Sequence, residues 1–161
     1  MTGILSRLFG RSEPTLAEAG PRDAAGFAML HGASFRRGWS DGEFERLLAD
    51  RNVIAHRATR GKSLVGFILS RLAADEAEIL SVAVDPRHRS RGLGRRLLDV
   101  NLRRLAGAGA RKVFLEVDED NRPARALYAR ARFREIGRRP GYYAGASGEA
   151  ATALVLGREL A

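Results

Sequence analysis

Apolar and polar residues change period several times along this chain, and each change predicts an element. Residues 15–19 read as a short first strand, and Pro21 suits the start of a helix whose apolar positions are Phe27, Met29, Leu30 and Ala33. Ser40, followed three residues later by Glu43, has the form of a capping box, opening a second helix that turns Phe44, Leu47 and Leu48 inward. Residues 53–59 and 63–72 read as two strands, with Gly61 and Lys62 as the hairpin turn between them. Residues 78–84 are apolar on both faces, as in a central strand, and Pro86 ends the run. Residues 92–106 place Leu93, Leu97, Leu98, Leu102 and Leu105 on one broad stripe, which predicts an amphipathic helix stopped by Gly107 and Gly109. Residues 112–118 form the next strand, and Asn121 can cap a helix running through Leu127 to about Ala131. Two more strands, 133–138 and 151–156, are separated by a glycine-rich loop carrying Tyr142 and Tyr143.

No internal repeat or long linker interrupts this order. Residues 1–13 read as an N-terminal tail and 14–161 as one domain, α+β or α/β, around a mixed sheet. A chain of 161 residues is long enough to bury roughly two-thirds of its extended surface. The sequence holds no cysteine, which excludes disulfides, thiolate zinc sites and a cysteine nucleophile. No apolar run approaches the roughly 18 residues of a membrane span. The apolar cluster Ile4, Leu5, Leu8 and Phe9 is broken by Ser6 and Arg7 too early for a signal-peptide core, so a cytoplasmic setting is expected.

Net charge is +9, and Lys62 and Lys112 are the only lysines among 28 basic residues. So strong a bias toward arginine, beside abundant Ala and Gly, is the mark of a biased genome as much as of an anionic ligand. With no block of five consecutive basic residues and few interleaved aromatics, specific nucleic-acid binding is not expected.

Two constellations carry chemistry. Arg89-Ser90-Arg91-Gly92-Leu93-Gly94 follows a strand and opens a helix. A helix N-terminus offers free N–H groups and the positive end of a dipole, and glycine lets backbone approach a phosphate closely. It is not a Walker loop, since no Gly-Lys-Ser/Thr follows, nor a dinucleotide fingerprint, since position 97 is Leu. An ordinary glycine loop has the same letters. The second constellation is Glu116, inside an otherwise apolar strand, with Tyr128 twelve residues on. A carboxylate there is costly unless hydrated, paired or useful; the residues alone leave a hydrated acid and a core tyrosine equally open. His31, His56 and His88 have no ligand spacing, so no metal is expected.

The stretch from Ile79 to Phe133 closely resembles the acetyl-CoA-binding core of the GCN5-related N-acetyltransferase (GNAT) family. Arg89–Gly94 matches the family pattern Q/R-x-x-G-x-G/A, while Leu115-Glu116-Val117, Asn121, Ala126-Leu127-Tyr128 and Phe133 match its RimI-like, ribosomal-protein-alanine branch. His31, Ser34-Phe35, Trp39-Ser40 and Phe44 resemble that branch's first helical region, and Arg138-Arg139 with Tyr142-Tyr143 its substrate loop. Similarity covers residues 14 to 160. Ala144 stands where the branch often has proline, and the small, glycine-rich loop 145–148 departs as well.

The resemblance implies a GNAT fold: a mixed, mostly antiparallel sheet of six or seven strands flanked by about four helices in three layers. It implies that backbone groups of Val82, Ala83 and Val84 bond the pantetheine arm of acetyl-CoA in a gap beside that strand. Ser90, Arg91, Gly92, Leu93, Gly94 and Arg95 would hold its pyrophosphate, with Asn121 also touching the cofactor. Glu116 would be the general base and Tyr128 the general acid, with Trp39, Tyr142 and Tyr143 against the acceptor. The acceptor implied is the N-terminal α-amine of a protein, an alanine of a small-subunit ribosomal protein, with no metal and no membrane partner. Two alternatives stand beside it: a small-molecule N-acetyltransferase of the same fold, and a non-catalytic arginine-rich RNA- or ribosome-binding module. Asp75, Glu76, Glu78, Glu116, Asp118, Glu119 and Asp120 are expected to gather at the substrate edge and offset the basic surface locally.

Overall fold

The computed structural model describes residues 13–35, 37–144 and 150–160. The tail 1–12 and the loop 145–149 lie outside them. Seven strands, β1 (Thr15–Glu18), β2 (Val53–Arg60), β3 (Ser63–Ala73), β4 (Glu76–Val84), β5 (Lys112–Asp118), β6 (Arg134–Ala144) and β7 (Ala150–Glu159), form one sheet in the order β1-β2-β3-β4-β5-β7-β6. Only β4 and β5 pair in parallel; the other five pairs are antiparallel. Helices α1 (Ala24–Ser34) and α2 (Asp41–Ala49) precede β2, α3 (Leu93–Gly107) joins β4 to β5, and α4 (Arg122–Arg130) joins β5 to β6. This is the three-layer fold the sequence predicts. None of the described helices is long and apolar enough to cross a membrane.

Local chemistry accounts for most boundaries. Ser40 Oγ accepts from the Glu43 N–H at 3.2 Å, and the Glu43 carboxylate accepts from the Ser40 N–H at 2.7 Å, closing the capping box that opens α2. Pro21 opens a single 3-10 turn, Pro21–Asp23, before α1 begins. The inward face of α1 is Ala24, Phe27, Leu30 and His31; Met29 is 80% exposed and Ala33 is also exposed. Two residues from Phe27, Met29 is turned about 200° away around the helix. β6 runs on to Ala144 rather than stopping near Arg138, because the ladder with β7 skips from Arg139 to Tyr143. Pro140, with no N–H to give, falls in the skipped segment.

The two faces of the sheet hold separate cores. Leu93, Leu97, Leu98, Leu102 and Leu105 of α3 pack with Ile68, Ile79, Val113, Leu115 and Leu154, and Tyr128 of α4 joins them. On the other face Phe27, Leu30, Phe44 and Leu48 pack with Ala55, Phe67, Leu69 and Ala83. Gly66 lets α3 lie close to the sheet: a Cβ there would stand 3.0 Å from Leu97 Cδ1 and 3.2 Å from the Ala83 carbonyl oxygen. One extra residue, Leu80, sits between the paired positions Ser70–Ile79 and Leu69–Ser81. Such a bulge reverses the alternation, so Ala77 and Ile79 point into the aliphatic core while Ala83 points into the aromatic one.

Candidate active site

The sheet is parted at its centre. β4 and β5 pair through Glu76–Lys112, Ala77–Val113 and Glu78–Phe114, and the pairing ends there although both strands continue. Past that point Val82, Ala83 and Val84 align with Ile68, Phe67 and Gly66 of β3 on one side. Backbone groups alternate in direction along a strand, so those not bonded to β3 face the gap. The three residues named from sequence thus line an opening in the middle of the sheet.

A turn with unpaired backbone donors follows. The Asp85 carboxylate accepts from the Arg87 N–H at 2.9 Å; that bond and the Arg87 side chain hold its pKa below the usual range. Ser90 (φ 61°) and Gly92 (φ 79°) both lie in the left-handed region, flanking Arg91. Such alternation turns successive N–H groups toward one concavity. Gly92 is the N-cap of α3, and no side chain caps the helix there, so its first-turn N–H groups remain available. A Cβ on Gly92 would meet nothing within 4 Å; the space before the helix is open. Arg89 Nε donates to the Val84 carbonyl at 3.0 Å, tying the turn to the end of β4. Arg95 pairs with Asp99 at 2.9 Å and Arg96 with Pro14 O at 3.1 Å, while Arg91 is exposed.

Glu116 is half-buried, its side chain 18% exposed, and Arg139 Nη1 stands 3.0 Å from its Oε1. Val113, Leu115 and Val117 point into the aliphatic core, so Glu116, alternating with them, faces the α1/α2 side. Glu78 shares that face, one two-residue step back on the neighbouring strand. Burial first, then repulsion from Glu116, pushes the Glu78 carboxyl above its ordinary pKa; Arg71 and Arg139 pull it back. The other acids named from sequence do not join these two. Parallel pairing sets Asp75 and Glu76 at the starts of β4 and β5, and Asp118, Glu119 and Asp120 at the far end of β5, roughly 20 Å away at 3.3 Å per residue. The predicted acidic edge is a pair in mid-sheet with one group at each end.

Tyr128 lies on the other face. It is 7% exposed, within the aliphatic core and edge-on to Phe133 at 5.7 Å. Burial pushes its phenol up to about 12, so it keeps its proton throughout the neutral range. Asn121 caps its helix, accepting from the Ala124 N–H at 3.2 Å. The acid and the phenol named from sequence therefore stand on opposite faces of the parted strands.

Trp39 is half-buried and lines a cavity of 380 Å³ with Glu43, Arg46, Leu47, Asp50 and Arg71. Arg71 is the β3 partner of Glu78, so this cavity borders the carboxylate pair. His31 fixes Trp39: the rings stack at 4.6 Å, and His31 Nδ1 accepts from the Trp39 N–H at 3.2 Å. Burial lowers the His31 pKa, against a smaller opposing pull from Glu43, as an acceptor nitrogen requires. Tyr142 and Tyr143 fall in β6, with Tyr143 opposite Ala151, but their side chains lie outside what is described. Sequence reasoning missed Arg139 as a partner of Glu116 and His31 as the support of Trp39. An acid at the start of an apolar strand was a visible signal for Glu78; the Arg139 contact, made across an intervening strand, had none.

Comparison with known proteins accords with this geometry. The sequence profile of the Acetyltransferase (GNAT) family matches residues 24–133. The [ribosomal protein bS18]-alanine N-acetyltransferase of Escherichia coli is 33% identical over 105 residues, covering 65% of this chain and 70% of that protein. A crystal structure of the E. coli ribosomal-protein-S18-alanine N-acetyltransferase superposes with a TM-score of 0.85 at 25% identity, over 92% of this chain and 94% of the other. The N-alpha-acetyltransferase RimI of Mycobacterium tuberculosis is 38% identical over 109 residues, 65% of this chain and 67% of that one. An uncharacterized protein of Mycobacterium leprae is 40% identical over 116 residues; the match takes in 70% of this chain and 32% of that longer protein.

Proposed function

Because this chain belongs to the GNAT acetyltransferase family and is an acetyl-CoA-dependent N-acetyltransferase, we propose that its acceptor is the N-terminal α-amine of a protein, an alanine of a small-subunit ribosomal protein, in a cytoplasmic setting. The observation that carries this reading is the arrangement at the parted strands: a half-buried carboxylate on the acceptor side and a buried, protonated phenol behind it. The E. coli relative, which acts on an alanine of a ribosomal protein by its name, supports the acceptor class.

When bound, acetyl-CoA supplies an acyl group activated as a thioester. The fit rests on three features: the gap beside Val82–Val84, the left-handed pair Ser90 and Gly92, and the open space before the uncapped start of α3. Ser90 through Arg95 would hold the pyrophosphate with N–H groups and charge, and Asn121 would touch the cofactor. Backbone N–H groups of Val82–Val84 polarise the thioester carbonyl. Glu116, through a water, would take one proton of the α-ammonium; the freed amine would form the N–C bond at the thioester carbonyl, its second proton would leave through the same water to solvent, and the C–S bond would break. Tyr128 returns a proton to the departing thiolate. Trp39, Tyr142 and Tyr143 seat the first residues of the acceptor.

An α-amine, with a pKa near 7.7–8.0, is roughly a tenth to a fifth neutral at pH 7, whereas a lysine amine is neutral only at roughly the 10⁻³ level or below. One carboxylate acting through water is matched to the first task. The test is acetylation of a peptide beginning with alanine, copied from the ribosomal acceptor. Rapid transfer is expected, and blocking the α-amine should abolish it even where lysines remain. Robust acetylation of the blocked peptide, or of spermidine and no peptide, overturns the acceptor assignment.

A further inference from the structure

Arg139 reaches Glu116 from two strands away. β7 lies between β5 and β6, and the ladders align Glu116 with Val155, Val155 with Gly137, and Ala153 with Arg139. These residues share the α1/α2 face, and the guanidinium crosses β7 on the diagonal to come within 3.0 Å of Glu116. Four strands contribute charge to this one place: Arg71 from β3, Glu78 from β4, Glu116 from β5 and Arg139 from β6. Glu78 senses the other three, repelled by Glu116 and attracted by both arginines.

Arginine cannot give up its charge in a protein. A carboxylate oxygen occupied by so permanent a cation is not open to a second donor until that cation moves. An incoming α-ammonium is also a cation with hydrogen-bond donors, and it must be matched to the same oxygens, directly or through the water that carries its proton. We propose that Arg139 is a specificity determinant that holds the acceptor's place: its guanidinium fills the seat beside Glu116 and Glu78 that the α-ammonium takes over. The acceptor is admitted by exchange of one cation for another, and Glu116 meets the incoming amine only once the arginine has moved aside. A blocked, uncharged N-terminus has nothing to exchange. This inference rests on the reading of Glu116 as the proton acceptor.

The experiment compares wild type, Arg139→Gln and Arg139→Lys with acetyl-CoA and the alanine peptide, after calorimetry has confirmed that each binds CoA. Removing a built-in competitor should lower the peptide KM of Arg139→Gln by about two- to fivefold, the scale of a part-exposed ion pair, with a smaller change in kcat. Arg139→Lys, which keeps a cation, should stay nearer the wild-type KM. Low-millimolar guanidinium should compete with the peptide more strongly in Arg139→Gln than in wild type, since the seat stands open there. A KM that is unchanged or raised in Arg139→Gln, with wild type active, overturns the inference and leaves the functional reading intact. If wild type acetylates no free amine at all, the functional reading falls, and this inference with it.

Discussion

Beneath α3 and α4 the sheet is covered by leucines, and beneath α1 and α2 by rings. On the first face Leu93, Leu97, Leu98, Leu102 and Leu105 meet Val113, Leu115 and Leu154. On the second Phe27 stacks on Phe67 at 4.3 Å, Phe44 stands edge-on to both at 5.9 and 5.7 Å, and His31 bridges to Trp39. Aliphatic contact is nondirectional and serves to seat one long helix, which opens from the left-handed turn at Ser90 and Gly92. Ring contact has preferred geometry, and Phe67, Phe44, His31 and Trp39 form one continuous series of such contacts. One face is held by bulk apolar burial and the other by an oriented chain of rings; under the function proposed above these are the cofactor and acceptor halves.

The largest effects test that division. Phe67→Ala should cost about 3–5 kcal/mol and Leu97→Ala about 2–5 kcal/mol of unfolding free energy, measured by denaturant titration. Only Phe67→Ala should also raise the KM for the peptide; equal movement by both variants would mean the two faces are not separate devices. Next comes the chemistry that spans the faces. Glu116→Gln should lower turnover by roughly 10²-fold or more, the scale of a lost general base. Tyr128→Phe should lower turnover with CoA affinity nearly intact. Wild-type turnover in both variants would remove these assignments.

Gly92→Val should weaken CoA binding by about tenfold or more, since a residue at positive φ costs about 1–2 kcal/mol and its side chain enters the space the phosphate needs. Unchanged affinity by calorimetry, in a variant shown to be folded, would misplace the phosphate turn. The smallest effect is a shared weakness to acid. Each face buries one histidine: His31 among the rings, and His56, which approaches Asn101 Nδ2 of α3 at 3.1 Å. Burial lowers both pKa values below 6.5. The unfolded chain then binds more protons, so this contribution to stability is complete above about pH 6.5 and is lost as pH falls toward the folded-state values. Unfolding titrations between pH 8 and 5 should show a shallower acid loss in His31→Phe and in His56→Gln than in wild type; unchanged slopes would clear both histidines.

The sequence made the candidate site partly legible. A glycine turn opening a helix is visible in residue types and spacing around Gly92, with letters an ordinary glycine loop shares, and Glu116 is conspicuous as a charge in an apolar strand. Trp39 was named through resemblance, but its support by His31 was not, because a histidine in an amphipathic helix has no local mark of what it will stack on. Met29 was misplaced, since an apolar residue in a helix need not belong to its buried stripe. Arg139 was named with Arg138 through resemblance to the substrate loop, but nothing local marked its reach to Glu116.

What the chain determines by itself is what neighbours in sequence decide. The capping box at Ser40, the hairpin turn at Gly61, the leucine stripe of α3 and the left-handed glycine before it all depend on residues a few positions apart. Helical and strand periodicity, turn stereochemistry and capping act at that range. Only the tertiary structure decides the parting of β4 from β5, the extra residue at Leu80 that exchanges faces, the division of the acids between mid-sheet and two distant ends, and the reach of Arg139 across β7. Each of these depends on strand order and register between segments distant in sequence, for example Leu69 with Ser81 and Glu116 with Val155. Register is settled by the simultaneous packing of both sheet faces, and a one-residue shift in it would turn Glu116 from the α1/α2 face into the leucine core.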